Sequence, residues 1–284
     1  MFDTHCHLNF KAFDGMVDEV IKKAKKAGVL NIIIPGTDIN SSEKAIEIAE
    51  RFDGIYAAVG IHPHHMYEIF EKARYRKFFD GKQKTAKNLV SSLSKLLSHP
   101  EVAAIGEVGI DRHIYQKTKY QDYKIGEEFI KLQKIVLKKQ IELAIEYDKS
   151  LILHNREAKK DMLEVLNEVW DKKLEGRTVF HCCEPDKELL EFAQEHKMFI
   201  GVDGDLIYWK EKQTFIKAVP LEMLVLETDS PFLSPTKQFP NEPKNIISIA
   251  ELIAKLKNIS IDKISETTTK NAKKLFIIPT ETRS

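Results

Sequence analysis

Two imidazoles one residue apart open the chain, in Phe2-Asp3-Thr4-His5-Cys6-His7. On a β-strand, residues two apart face the same side, so His5 and His7 are expected to converge on one point. Neutral imidazoles brought together in this way suit a divalent metal. Further along, Glu107, His154, His181 and Asp229 fall at the ends of separate apolar runs. Four histidines and two carboxylates exceed what one tetrahedral ion uses, so the set predicts two divalent ions bridged by a carboxylate. Glu107 is the expected bridge, because Gly109 on the same strand face leaves space beside it. A metal pair ~3.5 to 4 Å apart can hold a bridging hydroxide and neutralise charge on the attacked and leaving oxygens, the chemistry of phosphoester hydrolysis.

Groups so far apart in sequence meet only if the elements carrying them form a ring. Short apolar, β-branched runs at 28–36, 55–61, 102–111, 151–154, 178–181, 199–203 and 224–229 read as strands of a parallel sheet, after a first strand at the N-terminus. Helical patterns lie between them. The stretch 16–27 sets Val17, Val20, Ile21 and Ala24 against Lys22, Lys23, Lys25 and Lys26. A second helix opens at Ser41-Ser42-Glu43 and runs to about residue 51, and others cover 128–147, 161–170 and 187–195. Roughly eight strands alternating with helices predict one (β/α)8 TIM barrel over residues 1–284, with the active site at the C-terminal strand ends. The stretch 66–98 is long for the connection between the third and fourth strands and reads as an insertion on that side, either a substrate wall or a plain surface addition.

With 44 basic and 43 acidic side chains the formal charge is +1, so no whole-molecule field draws in nucleic acid or membrane. Any polyanion site must be local. No apolar run nears the ~18 residues that span a bilayer, and no basic-then-apolar leader opens the chain. Cys6, Cys182 and Cys183 do not make a disulfide framework, so a reduced, cytoplasmic setting is expected. Adjacent Cys182 and Cys183 would point to opposite strand faces and are expected as small core residues.

The chemistry-bearing residues lie in motifs that resemble the TatD-type metal-dependent deoxyribonucleases of the amidohydrolase superfamily. The resemblance runs through Asp3-Thr4-His5-Cys6-His7-Leu8, Gly60-Ile61-His62-Pro63-His64, Ile105-Gly106-Glu107-Val108-Gly109-Ile110-Asp111 and His154-Asn155-Arg156-Glu157-Ala158. It continues through Glu227-Thr228-Asp229-Ser230-Pro231-Phe232-Leu233, Asn241-Glu242-Pro243 and the run from Thr268 to Phe276, nearly the whole chain in order. It implies one ion on His5, His7 and Asp229, a second on His154 and His181, and Glu107 shared. It also implies that His62 contacts the scissile phosphate or helps move a proton, with Asp229 or His62 handling the proton, and that DNA, single-stranded or at strand ends, is the substrate. Arg156 would either pair with phosphate oxygens through its planar fork or form a salt bridge. Glu227, on the same face as Asp229, is expected to orient a ligand. Mixed nitrogen and oxygen donors accept Mg, Mn or Zn.

Three places depart from the family pattern: Cys182-Cys183-Glu184-Pro185 after His181, Asp203-Gly204-Asp205 followed by Tyr208 and Trp209, and Arg112 after Asp111. Extra carboxylates at the mouth would repel a polyanion unless a cation answers them. Tyr208 and Trp209 could stack a base or simply pack. The sequence therefore reads as a divalent-metal-dependent hydrolase of phosphodiester bonds, a deoxyribonuclease of exonuclease type. Its rivals are an amidohydrolase-type enzyme acting on a small amide, ester or lactone, and a non-catalytic nucleic-acid-binding protein, which predicts a lost ligand.

Overall fold

The computed structural model describes residues 1–75, 90–120 and 123–279. Eight parallel strands pair in chain order: β1 (Phe2–Asp3), β2 (Asn31–Pro35), β3 (Ile55–Val59), β4 (Val102–Asp111), β5 (Ser150–Arg156), β6 (Thr178–His181), β7 (Phe199–Val202) and β8 (Leu224–Leu226). The seam between last and first strands is joined by Thr4 N–H to the Leu226 carbonyl at 2.9 Å and Asp229 N–H to the His5 carbonyl at 2.9 Å. Beyond the seam Cys6 and Ser230 form a parallel bridge. The barrel is the one expected, with a shorter first strand. Regular pairing of β1 stops at Asp3, so His5 and His7 lie past it rather than on it. Their backbone stays extended because Cys6 N–H reaches the Ile33 carbonyl on one side and His7 N–H the Ser230 carbonyl on the other.

Strands buried on both faces need two apolar sets. One residue from each strand, Phe2, Ile33, Ala58, Ala104, Ile152, Val179, Phe199 and Val225, fills the barrel interior together with Ala272, Leu275 and Phe276 of the helix Ile261–Phe276. The outward set packs under the surrounding helices. Burying each large side chain in this way contributes ~1.5–3 kcal/mol.

β4 breaks the alternation, and the active-site residues depend on it. Ile105 pairs with Leu151 but Val108 pairs with Leu153, three steps against two. The extra residue is a bulge, which inverts which side chains face in. Ala104 points inward below it, and above it Glu107, Gly109 and Asp111 share the inward face with His154, the partner of Gly109. Gly109 has a different reason from the one the sequence suggested. A Cβ there would lie 1.8 Å from the His154 carbonyl oxygen, so its absence lets β4 and β5 approach rather than clearing space beside Glu107.

The helices Val17–Lys26, Glu127–Glu146, Lys159–Val169 and Lys187–Glu195 fall where periodicity placed them. The helix Ile39–Ala49 begins earlier than the Ser41 start expected. Asp38 caps it, accepting from Ser41 N–H at 2.8 Å, while the Ser41 hydroxyl accepts from Asp38 N–H at 2.9 Å. Ser41 is thus the third helical residue of a capping box. In the insertion, the helix Tyr67–Tyr75 and a helix over 90–97 stand on either side of residues 76–89, which lie outside the described residues. Among the described residues no helix is long and apolar enough to cross a membrane.

The seam offers a direct test. Buried Asp3 accepts from Thr228 Oγ1 at 2.6 Å and from Thr228 N–H at 2.9 Å. Thr228→Val keeps the shape but strands a carboxylate oxygen, at an expected cost of ~1–3 kcal/mol. Urea unfolding should show a lower midpoint at unchanged slope; an unchanged midpoint would mean that the seam is held elsewhere.

Candidate metal centre

The C-terminal rim brings all six expected ligands together around Glu107. Its Oε2 lies 3.3 Å from His5 Nε2 and 3.6 Å from His7 Nε2. Its Oε1 lies 2.6 Å from His154 Nδ1, 3.4 Å from His62 Nε2 and 3.8 Å from His181 Nε2. Asp229 Oδ1 stands 3.6 Å from His7 Nε2 and 3.8 Å from both His5 Nε2 and His181 Nε2. One oxygen of Glu107 therefore faces His5 and His7, and the other faces His62, His154 and His181.

The two halves differ in how closely they match expectation. His5, His7 and Asp229 form one compact donor group. His154 and His181 are direct neighbours across β5 and β6, but the His154 ring also turns Nε2 towards Asp111 Oδ2, 3.1 Å away. One of the other compact donor groups is His62, Asp111 and His154. Sequence reasoning missed Asp111, although the signal was present: it sits four residues after Glu107 on one strand, hence on the same face.

The site's electrostatics test whether these residues fit a metal. His5 and His7 Nε2 approach to 3.2 Å inside the protein. Burial, with His181 beside it, lowers the proton affinity of His5; burial and the neighbouring His5 hold His7 well below the usual histidine range. Two unprotonated nitrogens aimed at one spot beside two carboxylates are a donor set for a divalent cation. Across Glu107 the balance reverses. Burial works against protonating His154, but Asp111 and Glu107 outweigh it and raise that ring to about 9. Burial likewise opposes a proton on His181, yet Glu227 and Glu107 raise it to about 10. Burial would raise the Glu107 carboxyl, but His62, His5 and His181 hold it well below the carboxylate range. Asp229 is pushed well up by burial, with the Glu107 charge adding to this against the pull of His181.

The remaining expected residues take distinct places. Glu227 lies 3.1 Å from His181 Nδ1 and accepts the Cys182 N–H at 2.5 Å. A Cβ on Gly201 would come within 2.5 Å of the Glu227 carboxylate, so that glycine makes room for it. His62 Nδ1 accepts the His64 N–H at 3.1 Å. Arg156 lies over the Tyr115 ring, 5.2 Å from its centre, and Tyr115 donates to Asp111 at 2.7 Å. A cavity of about 660 Å³ opens over Glu107, His62, His154, His181 and Asp229, with Arg156 in its wall. Trp209 lines this cavity, whereas Tyr208 lies outside it and bonds the Pro235 carbonyl. The described parts of 66–98 contribute nothing to the wall. Cys182 was expected in the core, but it follows β6 with φ 48° and lines the cavity, so of the adjacent pair Cys183 alone is buried. Arg112 points away, to Asp161 and Glu127. The extra carboxylates Asp203 and Asp205 both meet buried Lys212, at 2.6 and 2.7 Å, a cation that sequence reading passed over.

Comparison with known proteins identifies the family. Residues 2–277 match the family described as TatD related DNase. The chain is 33% identical over 282 residues to the metal-dependent hydrolase YabD of Bacillus subtilis, covering 98% of this chain and 99% of that protein. It is 31% identical over 291 residues to the 3'-5' ssDNA/RNA exonuclease TatD of Erwinia billingiae, covering 98% and 100%. The crystal structure of the TatD homolog YJJV from Escherichia coli K12 superposes with a TM-score of 0.80 at 27% identity, over 98% of each chain. A barrel of eight parallel strands, a histidine and carboxylate centre at its C-terminal rim and a match over almost its full length place this chain in the TatD family of metal-dependent hydrolases.

Proposed function

We propose that the protein is a nuclease that uses two divalent ions per subunit, Mg, Mn or Zn, to hydrolyse phosphodiester bonds in DNA, acting on single strands or strand ends. The observation that carries this reading is the division of Glu107, one oxygen towards His5 and His7 and the other towards His154 and His181. The exonuclease relative from Erwinia billingiae supports the substrate class. Three free cysteines, Cys6, Cys182 and Cys183, fit the reducing cytoplasm.

His5, His7 and Asp229 would hold one ion, His154 and His181 the other, with Glu107 shared and Asp111 beside His154. When bound, such ions polarise a phosphoryl group and activate water at neutral pH. The protein's own groups do the rest. Glu227 stands 3.1 Å from His181 Nδ1 as an ion-pair partner on the side away from the centre, which leaves Nε2 for the centre. Because His62 Nδ1 accepts a backbone N–H, its neutral ring carries the proton on Nε2, the atom that faces Glu107 and the cavity. That proton is placed to bond a phosphate oxygen or to transfer, and Asp229 is the alternative proton carrier. Among the described residues Arg156 has no carboxylate within ion-pair distance, so its fork is free to take a phosphate.

Replacing the shared carboxylate is the first test. Glu107→Ala should lose bound divalent metal and cut hydrolysis of a short DNA oligonucleotide by more than the ~10- to 100-fold typical of a residue that only orients a ligand. Circular dichroism should still show a folded barrel, and undiminished cleavage would overturn the assignment. A panel of single-stranded DNA, duplex DNA, RNA, esters and lactones tests the substrate: turnover of the small substrates alone would end the nuclease reading.

Metal binding should release protons. His154 and His181 carry protons up to about 9 and about 10 in the metal-free site, and a ligating ring must give its proton up. Apparent affinity should therefore rise with pH between 6 and 9, ~tenfold per unit for each proton released. Calorimetric titration with Mn²⁺ in buffers of different ionisation enthalpy measures the count; zero release would show that these two rings are not ligands.

A further inference from the structure

Two carboxylates share one ammonium beside the metal centre, and they are not equivalent. Asp203 and Lys212 are fully buried. Asp203 accepts Lys212 Nζ at 2.6 Å through Oδ2 and the Asp205 N–H at 2.8 Å through Oδ1, so both its oxygens are used. Asp205 Oδ1 sits 2.7 Å from Lys212 Nζ, an ion-pair contact that is not aligned as a hydrogen bond. The rest of the Asp205 side chain is partly exposed, 30%, and lines the cavity beside Trp209.

One ammonium against two carboxylates leaves one negative charge over, and it belongs to the group that faces the cavity. Of the other acidic residues in the wall outside the metal centre, Glu157 has a histidine partner, His113, and Glu184 has neutral hydrogen-bond donors, Asn155 Nδ2 and the Glu157 N–H, rather than a cation. An ionised carboxylate only accepts hydrogen bonds. A donor on the substrate is welcome next to it, whereas a phosphate there meets like charge in a partly desolvated place. Burial and the neighbouring Asp203 raise Asp205 to about 7, which puts a test of its charge on the alkaline side of neutrality.

We propose that Asp205 is a specificity-determining residue, a carboxylate held on the cavity wall by Lys212 that accepts a hydrogen bond from a terminal sugar hydroxyl of the bound strand and turns away a terminal phosphate. This rests on the nuclease reading above. Arg156 then supplies the cavity with a cation for phosphate, and Asp205 supplies an acceptor for the free end.

The test compares metal-loaded wild type with Asp205→Asn and Asp205→Ala at pH 8. Substrates are short single-stranded DNA oligonucleotides that differ only in a hydroxyl or phosphate at the 3' end, and a second set differing at the 5' end. Wild type should favour the hydroxyl form at one terminus by ~10-fold or more in kcat/KM. Asp205→Asn keeps the size and leaves Lys212 and Asp203 as a one-to-one pair, and it should reduce the preference to ~3-fold or less, through a lower KM for the phosphorylated strand. Asp205→Ala should remove the preference as well. Cleavage by wild type with no preference at either end, or a preference that survives in both variants, overturns this inference alone. No cleavage of any oligonucleotide by wild type overturns the nuclease reading and this inference with it.

Discussion

A carboxylate enclosed by imidazoles is the constraint on which the rest of the molecule depends. Glu107 is 4% exposed, and a charge that deep is costly unless opposite charge or hydrogen bonds meet it from several directions. His5, His62, His154 and His181 supply them from the segments after β1 and β3 and from the ends of β5 and β6. Those segments face one another only in a closed barrel, so closure and the compensation of Glu107 are one condition. The same rings that would ligate cations balance the carboxylate when cations are absent, which couples the site's proton content to its metal content.

Position within the ring is set by β4. Its extra residue between Ile105 and Val108 lets Ala104 fill the barrel interior and Glu107 still face the centre. Without the bulge, strand alternation would turn Glu107 under the helices, where no cation awaits it. Gly109 then lets β5 approach, bringing His154 within 2.6 Å of Glu107. The functional geometry is thus an irregularity in the most regular part of the fold.

That division explains what the sequence made legible. Seven strands followed from apolar runs of strand length and the first from the N-terminal motif, and the six candidate ligands from their places at the strand ends. What escaped was whatever depends on a contact between distant segments. β1 stops at Asp3 because the chain must lean on both β2 and the segment after β8, which no local pattern reveals. Cys182 leaves the core because a positive φ follows β6 and swings it to the cavity. Asp111 was within reach, since it shares a strand face with Glu107. Lys212, at a helix position that looks solvated, gave no sign that it is fully buried between two carboxylates.

Lys212 also bears on how a protein of charge +1 could take the polyanionic substrate proposed for it. Affinity for a phosphodiester need not come from the field of the whole protein when the centre itself supplies the positive charge. What a near-neutral protein must avoid is uncompensated acid along the path of the substrate. Asp161 is met by Arg112 and Lys134, and Asp203 by Lys212, each inside the protein or away from the cavity. Pairing acids internally leaves Arg156, which among the described residues has no carboxylate partner, where a phosphate can reach it. A charge left over in such a wall would act on one part of a ligand rather than on all of it, because bound ions and the histidines beside it would screen a reacting phosphate. Selection among ends, rather than exclusion of nucleic acid, is what a residual carboxylate in this position can achieve.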